Sequence, residues 1–133
     1  MSSLVADTHS VIWYLNQSPR LSSPARDAIR NAIEAGYPVY VSAVSVAEVT
    51  YLAEKGRLTA KQLQDLIAVL HRPDSGFRVA TFDLATAEVL AEISRDVVPD
   101  MPDRMIAATA SHLGLPLVTV DSDIRKSGIA TIW

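Results

Sequence analysis

Pro102-Asp103-Arg104-Met105-Ile106-Ala107-Ala108-Thr109-Ala110-Ser111-His112-Leu113-Gly114-Leu115-Pro116-Leu117-Val118-Thr119-Val120-Asp121-Ser122-Asp123 reads as one helix and one strand, with a carboxylate at an end of each. Asp103 stands where a helix starts, just after Pro102. Met105, Ile106, Ala108, Thr109, His112 and Leu113 recur at helical spacing. Gly114 fits the left-handed position beyond the last turn, and Pro116 keeps the helix from resuming. Leu117 to Val120 is a short, β-branched apolar run that predicts a buried parallel strand ending at Asp121. In open α/β sheets the carboxyl ends of strands and the starts of helices share one edge, where ligands bind. Asp103 and Asp121 are therefore candidates to face each other there. Each acid also has a capping explanation. Asp103 could satisfy the free N–H groups of its own helix, and Asp121 and Asp123 could form a turn or cap Ile124 to Ser127.

Upstream, the same pattern recurs. Leu4-Val5-Ala6 predicts a short strand ending at Asp7, followed by a brief helix carrying Val11, Ile12, Tyr14 and Leu15. Asp7 thus repeats the situation of Asp121, with an N-cap, a role Thr8 could also fill, as the alternative. Ser22-Ser23-Pro24 starts a helix that Gly36 closes. Its Arg26 and Arg30, with Arg20 before it, read as a solvated face, a phosphate-facing patch being the alternative. Val39 to Val41 is the second strand, and Ser42 to Ser45 lead into a helix reaching about Lys55. Ser45-Val46-Ala47-Glu48 matches a capping box, which would place Glu48 in the first turn at the same edge. Thr59 caps a helix bearing Leu63, Leu66, Ile67 and Leu70. Phe77 to Phe82 predicts a third strand, Asp83 a cap for the helix carrying Ala87, Val89, Leu90 and Ile93, Val97 to Met101 a linker, and Thr131 to Trp133 a last strand. Strands alternating with helices give an α/β fold with a parallel sheet.

The bulk properties narrow the classes. A chain of 133 residues with 49% hydrophobic and 20% charged residues supports one folded domain over 1–133 with a real core. The absence of cysteine excludes disulfides and thiolate metal sites, and it suits a reducing cytoplasm. No basic leader or long apolar run opens the chain, so neither a signal peptide nor a membrane span is expected. A net charge of -3 means that a nucleic-acid partner must be held by a local basic patch or a metal.

Asp7, Glu48, Asp103 and Asp121 all reach the carboxyl edge if the sheet is parallel. Two carboxylates about 5 Å apart repel by roughly 3 kcal/mol at an effective dielectric near 20. Four together either take up protons or bind a cation. Oxygen ligands without Cys or paired His favour Mg²⁺ or Mn²⁺, which can serve phosphodiester hydrolysis.

The opening strand with Asp7-Thr8-His9 resembles the start of PIN-domain proteins, in particular the VapC ribonuclease toxins of bacterial toxin–antitoxin pairs. So do Ser42 to Glu48 followed by Glu54-Lys55-Gly56-Arg57-Leu58, the run Asp103 to Ala110, and Leu117 to Asp123. The resemblance spans nearly the whole chain in the same order. It implies a single PIN-like domain with a five-stranded parallel sheet of order 3-2-1-4-5 and helices on both faces. It also implies Mg²⁺-dependent (or Mn²⁺-dependent) endoribonuclease activity on an RNA substrate. Asp7, Glu48, Asp103 and Asp121 become the acidic quartet, with Asp7 and Asp103 the most direct metal ligands. Thr119 matches a hydroxyl that orients the last acid or a metal-bound water, and Asp123 an auxiliary acid. Such proteins form homodimers and are neutralised by a cognate VapB-type antitoxin. Arg104, beside Asp103, is a candidate to meet a substrate phosphate or the antitoxin's tail, with a plain surface residue as the alternative.

Three rivals are distinguishable. A phospho-receiver domain needs adjacent acids after the first strand, whereas Asp7 is followed by Thr8, and it needs a lysine that Ser122 to Arg125 lacks. A catalytically inactive PIN-like module binding RNA or protein would keep an idle acid cluster at a cost in stability. A metal-dependent DNA nuclease would use the same quartet.

Overall fold

The computed structural model describes residues 2–133. The chain runs β1 (Leu4–Ala6), α1 (Thr8–Leu15), α2 (Ser23–Glu34), β2 (Val39–Ser42), α3 (Ala43–Glu54), α4 (Ala60–His71), β3 (Phe77–Ala80) and α5 (Leu84–Val89). After one turn of 3-10 helix at Leu90–Glu92 it continues with α6 (Met101–Leu113), β4 (Leu117–Val118), α7 (Ser122–Arg125) and β5 (Thr131–Ile132). β1 is the middle strand, pairing in parallel with β2 (Leu4 opposite Val39) and with β4 (Val5 opposite Leu117). β3 lies beyond β2 and β5 beyond β4, giving the parallel order 3-2-1-4-5 that the resemblance implied.

Strand alternation divides the apolar residues between two cores. Leu4 and Ala6, with Val39, Val41 and Val118, pack against Val11 and Ile12 of α1, Ala25 and Ile29 of α2, and Leu66 of α4. Val5 and Leu117 face the other way, onto Ile106, Ala107 and Ala110 of α6 and Ile124 of α7. All three β1 residues are buried, because a central strand with helices on both faces has no solvated side. Each fully buried aliphatic side chain contributes about 1.5–3 kcal/mol relative to exposure, so this strand anchors both layers. Among the described residues, no helix is long and apolar enough to cross a membrane.

Several boundaries differ from the sequence reading, each for a local reason. The helix after β2 begins at Ala43, not Ser45, because Ser42, the last residue of the strand, caps it by accepting from Val44 N at 3.1 Å. The Ser45-to-Glu48 capping box therefore does not form, and Glu48 lies in the second turn. The expected linker at 97–101 gives way to helix at Met101. Asp100 is its N-cap, accepting from Asp103 N at 3.1 Å, with Pro102 inside the first turn. Asp103 is thus the third helical residue and caps nothing. β4 stops at Val118, since Thr119 Oγ1 accepts from Asp121 N at 3.0 Å and turns the chain outward, leaving Val120 exposed. β3 likewise ends at Ala80, two residues before Phe82.

Arg104 has a structural task. Its Nη2 donates to Leu90 O and Ile93 O, both at 2.9 Å, and its Nε to Ile93 O at 3.2 Å. The guanidinium thereby closes the carbonyl end of the 3-10 turn against α6, the kind of unpaired helix-end acceptor that otherwise needs water or a cap. The contact with a substrate phosphate or an antitoxin tail, for which its place beside Asp103 made it a candidate, would have to be made by a guanidinium already engaged in this way. Arg104→Ala should lower unfolding free energy by about 1.5–3 kcal/mol, the range for hydrogen bonds to a charged group. Urea titration followed by circular dichroism measures the loss. A variant as stable as the parent would return Arg104 to the surface.

Candidate active site

The switch point of this sheet lies between β1 and β4, where successive connections leave in opposite directions. Asp7 directly follows β1. It caps α1, Oδ1 accepting from Ser10 N at 3.0 Å, and its own N–H donates to Val118 O of the neighbouring strand. Asp121 follows β4 across the switch point and caps α7, accepting from Ile124 N at 2.9 Å. Glu48 comes from α3 and Asp103 from the first turn of α6. A cleft of about 380 Å³ opens above this edge, and Asp7, Glu48, Asp103 and Asp121 all line it. Asp100 lines it as well.

Donors hold three of the four acids. Beyond the two caps, Thr8 Oγ1 donates to Glu48 Oε1 and lies 3.0 Å from Ser45 Oγ, which fixes the glutamate against the start of α1. Among the described residues no hydrogen bond supports the Asp103 carboxylate. Burial, and then the charges of Asp121, Asp100, Glu48 and Asp7, push its pKa up from 3.8 to about 8. Burial also raises Asp7, opposed by hydrogen bonds from Ser10 and Thr119. Thr119 itself is buried and bonds to the Asp121 backbone, so it shapes the turn that carries the acid.

Other candidates fall elsewhere. Asp123 is exposed in α7 and does not line the cleft. Asp83 caps α5 through Thr86 beside β3, away from the cleft, as expected of an edge strand. The sequence reading missed Asp100, whose signal was available as an acid three residues before Asp103 with Pro102 between them. It also left aside Trp13, which lines the cleft together with Arg20.

The donor set suits a hard divalent cation. It offers carboxylate oxygens, a hydroxyl network and no thiolate, and its repulsion is the kind that a cation relieves. No three acidic or histidine side chains among the described residues are already closed on a single point. The acids face one another across an open cleft, and that spacing accords with carboxylates whose charges repel.

Fold and edge cluster together define a doubly wound α/β domain with an acidic cleft at its switch point. The chain belongs to the PIN domain family, whose model matches residues 4–129. A curated relative, Ribonuclease VapC22 of Mycobacterium tuberculosis, is 30% identical over 127 residues, covering 95% of this chain and 92% of the relative. Among solved structures, VapBC2 from Rickettsia felis bound to a DNA fragment from its promoter is similar, with a TM-score of 0.72, 15% identity, and 97% and 96% of the two chains covered. DNA-bound VapBC from Salmonella typhimurium aligns with a TM-score of 0.68 and 22% identity over 98% and 97%. At those identities the likeness is one of fold.

The raised Asp103 makes a pH prediction with a definite sign. The folded chain holds this proton up to about pH 8, whereas the unfolded chain releases it near 3.8. The folded state therefore binds more protons across that window, and in chelator its stability should fall as pH rises through it. Asp103→Asn should flatten the profile and be the more stable protein at pH 8, with the helix still capped by Asp100. Thermal melting from pH 4 to 9 in chelator measures both. Cation uptake near pH 7 should expel the proton, so Mn²⁺ titrations in buffers of different ionisation enthalpy should report proton release in the parent and little in the variant.

Proposed function

We propose that this chain is a metal-dependent endoribonuclease of the toxin class, restrained by a cognate VapB-type antitoxin. The observation that carries the reading is the convergence of Asp7, Glu48, Asp103 and Asp121 in one cleft, with Asp103 pushed up to about 8 by burial and then by the neighbouring acids. The relative named a ribonuclease supports the activity. The neighbours solved as VapBC assemblies support a protein partner. Position in the cytoplasm belongs to the same proposal, as does the homodimer. For the latter, exposed Val79 and Leu113 share a hollow on the β3 side, outside the acid cleft.

Asp7, Asp103 and Asp121, with Glu48, would hold one or two Mg²⁺ or Mn²⁺ ions. A cation bound there supplies Lewis acidity and lowers the pKa of water enough to attack a phosphodiester at neutral pH. The protein's own contribution is positioning. The caps on Ser10 N and Ile124 N hold Oδ1 of Asp7 and of Asp121 at the starts of α1 and α7, which fixes both carboxylates on the cleft wall. Thr8 fixes Glu48 in the same way. Asp103, unsupported by a donor, gives up its proton when positive charge arrives.

Single-turnover cleavage of RNA in Mn²⁺ tests the proposal. Asp103→Asn and Glu48→Gln should each reduce the rate by about a hundred- to a thousandfold, the scale for removing one electrostatic contact to a reacting centre. Asp83→Asn, a cap at the edge strand, should retain the parent rate. Parent-like cleavage by both amide variants would sink the nuclease assignment. Equal cleavage of single-stranded DNA would transfer it to a nuclease indifferent to the sugar.

A further inference from the structure

The five acids of the cleft repel every phosphate except the one a cation screens, so a polyanion needs a favourable exit. The structure provides one direction. Beside the cleft lies a second hollow of about 340 Å³, lined by Trp13, Tyr14, Gln17, Ser18, Arg26 and Arg30 among others. Trp13 lines both hollows, so the two lie side by side with this residue between them. Exposed Arg20 stands on the cleft wall on this side, and Arg26 and Arg30 are exposed beyond it. The indole is half-buried and braced by two rings, His9 at 5.5 Å and Trp133 at 6.1 Å between centroids. A braced aromatic surface next to cations is the arrangement on which unpaired bases stack while their phosphates are held.

Gln17 adds polar groups. It follows α1 in a left-handed conformation with φ of 55°, which a side chain rarely adopts, and its exposed amide borders the hollow. Arg30 bonds Asp27 Oδ1 at 2.8 Å and Arg26 bonds Ser23 Oγ at 3.2 Å, both on the surface, where a phosphate competes well. The volume is that of a small-ligand pocket, which begins near about 300 Å³.

We propose, on the ribonuclease reading above, that an unpaired RNA segment leaves the acid cleft over Trp13. One flanking base stacks on the indole in the second hollow, and the following phosphates lie against Arg26 and Arg30. The three arginines are thus a phosphate-facing patch, the alternative to the solvated face that the sequence favoured. An acidic peptide would satisfy the same charges but leave the indole unstacked.

The sequence has two tryptophans, so a Trp133→Phe background isolates Trp13 fluorescence. The probe is a short unstructured oligoribonucleotide in Ca²⁺, compared with an abasic strand of equal length and with poly-glutamate. The oligoribonucleotide should quench Trp13. The abasic strand should not, and should bind about five- to a hundredfold more weakly, the worth of one stacked base. Trp13→Ala should lose the same factor and Trp13→Phe recover part of it. Arg26→Gln and Arg30→Gln should each lower the salt dependence of binding by about 0.7, one phosphate contact to a single strand. Suppose the parent cleaves RNA while the abasic strand binds as tightly, or poly-glutamate quenches as well. The proposed path is then overturned and the nuclease reading stands. If the parent neither binds nor cleaves RNA with any divalent ion, both fall together.

Discussion

The structure depends on keeping like charges together. Four carboxylates from separate parts of the chain, with Asp100 beside them, face one cleft, and the fold has to hold them against their mutual repulsion. It does so unequally. Asp7 and Asp121 each accept a backbone N–H, and Glu48 accepts the Thr8 hydroxyl. Hydrogen bonds to the charged form favour it, and at Asp7 they oppose the burial that raises its pKa. Asp103 has no such donor among the described residues, and burial, followed by the repulsion, holds a proton there to about pH 8. On the proposed function, a cation entering the cleft would displace that proton.

This arrangement also removes a conflict between two readings of the same acids. A carboxylate has two oxygens, and a cap uses one. At Asp7 and Asp121, Oδ1 terminates a helix and in doing so directs the carboxylate towards the switch point. Capping is here a means of aiming. Asp100 extends the device, since it takes over the capping of α6 and frees both oxygens of Asp103 for the cleft. The switch point brings these elements together because β1 and β4 are neighbours, so the residues ending those strands are neighbours too.

Much of this was legible in the chain because the signals were local. Val5 between Leu4 and Ala6 alternates between two cores, Gly114 takes the left-handed position at φ of 66°, and Pro116 bars further helix, each within a few residues of its cause. The misread features have causes spread along the chain or hidden at a junction. β2 passes into α3 with no loop, so the strand's last residue, Ser42, is the cap and the later Ser45-to-Glu48 pattern is idle. The structural task of Arg104 was not visible because its partners, Leu90 O and Ile93 O, are brought to it only by tertiary packing. The position of Asp123 outside the cleft follows from α7 turning it to solvent, which an acid two residues from Asp121 does not announce. Trp13 drew no reading in the sequence, and only the fold brings it, half-buried between Trp133 and His9, to the wall of the cleft.

The central claim is that these acids bind a divalent cation as a set, and anomalous diffraction from crystals soaked in Mn²⁺ tests it most directly. The account predicts anomalous density between Asp7, Asp103 and Asp121 in the parent protein, and its loss in Asp103→Asn crystals of the same form. A parent cleft without such density at saturating Mn²⁺, with the four carboxylates still apart, would contradict it.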